Sequence, residues 1–371
     1  MTNSLGIYIH IPFCERKCNY CNFYSVVPNG QEGEYINRIS EELVKWGERT
    51  ARPIDTLYIG GGTPSLLKPD ELSALICAAK ENFNLQSDAE ITIEVNPKDA
   101  TGDFLALAKK LGVNRISLGV QSSNDGELVL LGRRHNFEDV KRAVSLARGL
   151  GFDNISADIM IGLPFSSSVS LQKSIDDILS LKTEHISAYI LKVEKGTPFY
   201  EMGVPLPDED SIADQYLQMC RAFKEAGYEH YEVSNFAKNG YESRHNNRYW
   251  RCLEYIGIGP AAHSFFEGER FYYPSDLNGF LKGNSVLSDG KGGDPEEFVM
   301  LALRLSRGLV FSEYEERFGQ KINEKFKAKA EFFKDMGLCE VNSNRVSLTS
   351  NGMLVSNSVI LELIGELYEN L

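Results

Sequence analysis

The stretch Phe13-Cys14-Glu15-Arg16-Lys17-Cys18-Asn19-Tyr20-Cys21-Asn22-Phe23 decides the reading of this chain. Three cysteines spaced C-x3-C-x2-C follow the apolar run Leu5–Ile11 (LGIYIHI), which reads as a buried strand, and the next cysteine is Cys77. A closed structural zinc site wants four ligands. Three thiolates suit a [4Fe–4S] cluster whose fourth iron stays open to an exogenous ligand. Zinc with His10 as fourth ligand, and a set of redox thiols, are the competing readings. His10 alternates with Tyr8 along the strand, a register that favours packing or hydrogen bonding. Cys77, Cys220, Cys252 and Cys339 stand alone and read as buried reduced thiols.

Downstream of the cysteine loop, strands and helices alternate. Tyr35, Ile39, Leu43 and Trp46 recur at helical spacing. Thr56–Ile59 is strand-like and ends in Gly60-Gly61-Gly62-Thr63-Pro64-Ser65. Residues 69–82 read as helical, 90–95 (EITIEV) as extended, 102–111 as helical, 114–120 (NRISLGV) as extended and 124–150 as helical. A strand over 154–161, a helix over 168–181 and a strand over 184–191 complete the series. Six strands separated by helices imply parallel βαβ units. Polar residues recur after every strand, which favours an incomplete (β/α)6 TIM-like barrel, the architecture that gathers functional residues at strand C-termini. Residues 1–205 form this partial barrel, and 206–290 a connecting region with a helix over 208–226 and a strand over 228–234. Residues 290–295 (GKGGDP) read as a linker. Three helices, one opened by a Ser312/Glu315 capping box, and a hairpin over 338–348 then make 295–371 a winged-helix-like α+β domain.

The bulk composition limits the function. The 371 residues carry a net charge of −13, and residues 296–371 hold nine Lys/Arg against twelve Asp/Glu. Both balances oppose a nucleic-acid or anionic-membrane partner. No apolar run approaches the roughly 18 residues a membrane span needs, and no signal peptide is visible, so the expected location is the cytoplasm, without membrane insertion.

Several strand-end residues suit a polar cofactor. Gly60–Gly62 permit close backbone approach and offer N–H and C=O groups. Glu94 (EVNP), Gln121 (GVQS) and Asp158 (SADIMIGLP) lie at or near successive strand ends, and Arg133 (GRRH) lies just past a short helix. A carboxylate accepts from ribose hydroxyls, an amide binds sugar or adenine edges, and arginine clamps a carboxylate.

The cysteine motif, with an aromatic residue just before its last cysteine, resembles the signature of radical S-adenosylmethionine (SAM) proteins. That likeness implies that the methionine amine and carboxylate chelate the open iron, and that one electron splits the sulfonium to a 5′-deoxyadenosyl radical. The GGGTPS, E-x-N-P, SLGVQS, GR-x-H and D-x-M-x-GLP segments resemble those of oxygen-independent coproporphyrinogen III oxidases and their relatives over roughly residues 5–270, and a winged-helix tail is typical of them. Position by position, the resemblance implies a cluster on Cys14, Cys18 and Cys21. It implies SAM contacts at Tyr8, Gly61, Gly62, Thr63, Glu94, Gln121, Arg133 and Asp158, with the Tyr20 backbone near the adenine.

Two departures separate this chain from the decarboxylating oxidases. Phe23 stands where they carry a further cysteine, and the arm before Cys14 is short. Both features resemble the sister group of heme chaperones, HemW, as does His245-Asn246-Asn247-Arg248-Tyr249-Trp250, since H-N-x-x-Y-W is associated there with heme binding. A neutral imidazole is a good axial ligand, Tyr249 and Trp250 offer flat apolar surface, and Arg248 or Arg244 can pair with a propionate. The small-residue segment 257–264 and His263 are second choices, and His135, His185 and His230 read as structural. The expectation is a protein that binds heme and passes it to an acceptor hemoprotein, a membrane-bound respiratory one being a candidate. The rival is oxidative decarboxylation of coproporphyrinogen III.

Overall fold

A computed structural model describes residues 4–368. Its main sheet begins with six parallel strands, β1 (Leu5–Ile11), β2 (Pro53–Gly61), β3 (Asn84–Val95), β4 (Arg115–Gln121), β5 (Ile155–Ile161) and β6 (His185–Ile190), neighbours in chain order. The connections between them are helical, as the spacing predicts. Glu32–Arg49 buries Tyr35, Ile39, Leu43 and Trp46 on one face, and Ser168–Ser180 buries Leu171, Ile175 and Ile178.

Residues 206–290 supply both flanks of this sheet. On the β6 side lies a hairpin of β7 (Glu229–Glu232) and β8 (Asn235–Ala237), where the sequence suggests one continuous strand; the register shifts between His230 and Glu232 and the chain turns back. On the β1 side, β9 (Tyr255–Ile258) pairs parallel with β1, followed by antiparallel β10 (His263–Phe266), β11 (Glu269–Tyr272) and β12 (Leu287–Lys291). Seven parallel strands thus run β9-β1-β2-β3-β4-β5-β6, and the two ends do not pair with each other among the described residues. The barrel is incomplete.

Pleating sorts the side chains of β1–β6. One set is apolar and buried, including Ile7, Ile9, Leu57, Ile59, Ile93, Ile116, Leu118, Ile159 and Ile186. The alternate set is polar and in register across strands: Tyr8 beside Tyr58, Tyr58 beside Thr92, Glu94 beside Ser117, and Asp158 beside Ser187. These strands therefore enclose a polar interior, unlike the packed apolar one usual in closed barrels.

The C-terminal unit contains helices Pro295–Ala302, Phe311–Phe318 and Glu324–Asp335 and a small sheet in the order β13 (Leu309–Val310), β15 (Arg345–Leu348), β14 (Cys339–Val341). This is the winged-helix-like topology the sequence suggests. The expected capping box does not form, because the helix begins at Phe311 after Val310 and leaves Ser312 inside its first turn. The unit docks through backbone bonds from Val233 N–H to Arg304 O and from Ser306 N–H to Tyr231 O, both 3.0 Å. Cys220, Cys252 and Cys339 are buried as expected, whereas Cys77 is exposed, on the outer side of a surface helix. No described helix is long and apolar enough to cross a membrane.

Candidate functional site

The cysteine loop is tied into the mouth of the barrel by backbone groups. Cys14 N–H donates to Val26 O at 3.0 Å, Cys21 N–H to Cys18 O at 3.2 Å, and Asn19 N–H to Leu131 O at 3.0 Å. The Asn19 side chain donates to Leu130 O at 2.8 Å. Tyr20 packs against Leu131, Met160, Leu163, Leu191 and Phe199. The three thiols thus line one side of a cavity of about 490 Å3 at the C-terminal strand ends, a volume within the range of small-molecule sites.

The Gly60–Thr63 segment closes on the same loop. Gly62 N–H donates to Ile11 O at 2.7 Å and Thr63 N–H to Phe13 O at 2.8 Å, while the Thr63 hydroxyl lies 3.4 Å from Cys14 Sγ. A side chain has no room here: a Cβ on Gly62 would stand 2.7 Å from the carbonyl oxygens of Ile11 and Phe13, and Gly61, at φ 107°, lies against the His10 ring.

Glu94 faces the cavity with both oxygens engaged, accepting from Tyr58 O–H at 2.8 Å and Gly61 N–H at 2.9 Å. Burial nevertheless pushes its carboxyl up to about 7, against the pull of those donors. Asp158 accepts from the Ser117 and Ser156 hydroxyls at 3.2 to 3.4 Å, and burial raises it too. Arg133 donates to Gly119 O at 2.6 Å and lies 3.6 Å from Cys18 Sγ, and its buried Nε has no partner among the described residues. Gln121, at the bulged end of β4, adopts a φ of 72°, uncommon for a residue with a Cβ.

Seven of the eight residues expected to contact SAM line this one cavity, together with the three cysteines and Tyr20. Tyr8 lies beneath it, its O–H on His10 Nδ1 at 3.0 Å. His10 Nε2 donates to Tyr24 O at 3.0 Å, and burial lowers the imidazole to about 4. Both His10 nitrogens are used, so it is no fourth metal ligand. Among the described residues no three His, Cys, Asp or Glu side chains converge as on a single ion. The donor set can hold a cluster: Cys14, Cys18 and Cys21 are free thiols on one loop, with the Arg133 guanidinium 3.6 Å from the Cys18 sulfur, although burial pushes the Cys14 and Cys21 thiols up, a cost that bound iron would have to overcome.

Tyr58, Ser117, Tyr189 and Lys192 were not singled out from sequence, yet Tyr58 holds Glu94 and the others line the cavity. The signal that could have found the strand residues is the period-2 polar register: Tyr58 stands two residues before Gly60, and Ser117 lies opposite Glu94.

The heme-associated motif sits elsewhere. Helix Arg244–Trp250 lies across the N-terminal ends of β1–β3. Glu90 accepts the backbone N–H groups of Arg244 and His245, both at 3.0 Å. The His245 ring is 1% exposed, with Nδ1 2.8 Å from the Thr56 hydroxyl and Nε2 2.8 Å from the Tyr249 hydroxyl; burial lowers it to about 3. His245, the candidate axial ligand, is thus buried here with both nitrogens paired within the protein. Arg248 is bound to Asp55 at 2.6 Å and to Ser4 O, also at 2.6 Å, so of the two arginines only Arg244 remains exposed. Nor do Tyr249 and Trp250 share one flat face. Tyr249 meets the His245 ring edge-on, while Trp250 lines a second cavity of about 210 Å3 against the C-terminal unit, beneath Arg304. His185 pairs with Ser156 and Tyr231, His135 Nε2 with Val120 O, and His230 stacks on Phe236, while the buried His135 Nδ1 has no partner among the described residues. His263 is exposed and stacks on Tyr272.

Comparison with known proteins agrees with this geometry. The profile of the radical SAM superfamily matches residues 8–178, and that of the HemN C-terminal domain matches 294–355. The chain is 35% identical to the heme chaperone HemW of Bacillus subtilis, an alignment covering 97% of this chain and 99% of that protein. It is 38% identical to the heme chaperone HemW of Escherichia coli over 81% of this chain and 82% of the other. Among solved structures, the coproporphyrinogen III oxidase HemN from Escherichia coli, a radical SAM enzyme, superposes with a TM-score of 0.85 over 98% of this chain and 90% of that one, at 22% identity; at that identity the likeness speaks to the fold. On the near full-length identity to HemW proteins, the chain belongs to the HemW family of the radical SAM superfamily.

Proposed function

We propose that this protein binds heme and transfers it to an acceptor hemoprotein, carrying a SAM-liganded [4Fe–4S] cluster on Cys14, Cys18 and Cys21. The supporting observation is the meeting, on one cavity, of three reduced thiols with Gly61, Gly62, Thr63, Glu94, Gln121, Arg133 and Asp158. It occurs in a chain that matches a heme chaperone along nearly its whole length. The cluster would supply an open iron to chelate SAM and an electron for reductive chemistry. This chain's residues do the rest. The 60–63 backbone approaches the cofactor closely, Glu94 and Asp158 accept from its hydroxyls or ammonium, and Arg133 sets charge beside Cys18. Heme is assigned to the His245–Trp250 motif, with His245 as iron ligand and Tyr249 and Trp250 against the porphyrin. Ligation then requires His245 to leave Thr56 and Tyr249, so heme enters by opening the floor of the barrel.

The test is anaerobic reconstitution followed by parallel assays of heme transfer to an apo-hemoprotein and of coproporphyrinogen III decarboxylation. The proposal expects transfer without decarboxylation. Loss of two propionate carboxyls as CO2, with turnover, would reject it in favour of the oxidase reading that Phe23 opposes. Titration with hemin should give a Soret band that weakens in His245→Ala.

A further inference from the structure

We infer that His245 is a positioning residue for the SAM site, acting through Tyr58 on Glu94, and that iron ligation by His245 weakens SAM binding; the second half rests on the heme assignment proposed above. The two sites lie at opposite ends of the barrel, yet few side chains separate them. The His245 ring lies 5.3 Å from the Tyr58 ring, tilted by 31°, and 6.4 Å from Tyr8. Thr56, which holds His245 Nδ1 at 2.8 Å, precedes Tyr58 by one inward-facing position on β2. The imidazole therefore fills the space directly below the phenol. At its upper end the phenol donates to Glu94 Oε1 at 2.8 Å.

Glu94 is held on three sides: by Tyr58, by Gly61 N–H at 2.9 Å, and by Gly60, where a Cβ would stand 2.7 Å from the carboxyl carbon. Only the phenol among these has freedom to move, because the glycines belong to a hydrogen-bonded strand. If the His245 ring is removed or drawn to an iron, a space of about one ring opens beneath Tyr58. A phenol that settles into it lengthens its bond to Glu94, and the carboxylate loses the donor that orients it toward the cofactor. Linkage makes the effect reciprocal: if ligation weakens SAM binding, SAM weakens ligation by the same factor. Bound SAM then keeps the floor closed, and its departure lets His245 out.

The experiment measures SAM affinity by calorimetry on the anaerobically reconstituted full-length protein. His245→Ala and Tyr58→Phe are each expected to weaken SAM about five- to tenfold, within the usual span of coupled sites. His245→Gln, which refills the space and keeps hydrogen-bonding groups, should recover most of the loss. The double variant His245→Ala/Tyr58→Phe should bind no worse than Tyr58→Phe alone, the signature of residues acting in series. Additive losses overturn the inference, as does unchanged SAM affinity in Tyr58→Phe, a readout that holds even if His245→Ala does not fold. Saturating hemin should weaken SAM binding to the wild type by a similar factor, and an unchanged affinity overturns the second half. A Soret band indifferent to His245→Ala instead removes His245 as the heme ligand, while the heme-free variants still decide its positioning role.

Discussion

At the carboxyl ends of β1–β6, three reduced thiols, an arginine Nε without a partner among the described residues and a carboxyl raised to about 7 face an open cavity. At the amino ends, most polar side chains of the heme-associated motif are paired within the protein, the Trp250 indole N–H and the Arg115 Nε being without a partner among the described residues. Arg248 is bound to Asp55, Ser4 and Glu254, His245 to Thr56 and Tyr249, and Glu90 to the first turn of the motif helix. What separates the two ends is access: the polar groups of the mouth line an open cavity, and those of the motif helix are mostly tied into the fold. The mouth is therefore where chemistry is expected, and the floor is where removing a group costs stability first.

Substitutions at both ends press on that contrast. The largest effect is expected at the mouth: Cys14→Ala, Cys18→Ala or Cys21→Ala each abolish the roughly four irons per chain of a [4Fe–4S] cluster, measured by iron analysis after anaerobic reconstitution, with the fold intact by circular dichroism. At the floor the order reverses. Arg248→Ala leaves Asp55 without its buried partner and should cost about 3–5 kcal/mol in urea unfolding, while the folded fraction still takes up iron. A normal urea midpoint in that variant would erase the distinction between the two ends.

A smaller effect concerns pH. With Glu94 raised to about 7, the carboxylate that receives cationic SAM fills in as pH rises through that value. Affinity for SAM should climb about tenfold from pH 6 to pH 8, and Glu94→Gln should flatten the profile. The direction is fixed by the charge: binding of a cation draws the proton off Glu94, so acid opposes binding. The smallest effect belongs to Trp250→Phe. Its indole N–H has no hydrogen-bond partner among the described residues, so unfolding free energy should change by no more than about 1 kcal/mol, whereas a weaker Soret band on hemin titration would mark the indole as a heme contact.

Much of the mouth was legible because its residues carry distinctive chemistry at fixed spacing. The C-x3-C-x2-C loop, the glycine run and the strand-end Glu94 and Asp158 can be read without coordinates. Period-3.6 and period-2 patterns also place the barrel helices and strands. Period 2 marks Tyr58 as inward-facing, but its importance lies in one bond to Glu94, and which strand residue meets that carboxylate is not written in a linear pattern. The state of the floor is hidden from the sequence for a related reason. His245, Arg248 and Trp250 offer the right groups for a heme, but whether a polar group is free or already paired depends on partners such as Thr56 and Asp55, roughly 190 positions away. The same long-range pairing gives residues 206–290 their place at both flanks of the sheet, since β9 joins β1 from the far end of the chain.

The central claim is that three cysteines hold a cluster with one iron left for SAM. Electron paramagnetic resonance of the reduced, anaerobically reconstituted protein, recorded with and without SAM, tests it directly. The account predicts a [4Fe–4S]+ signal whose g values shift when SAM is added and which is absent from Cys18→Ala. A signal indifferent to SAM, or a protein that takes up zinc and no iron, would contradict it.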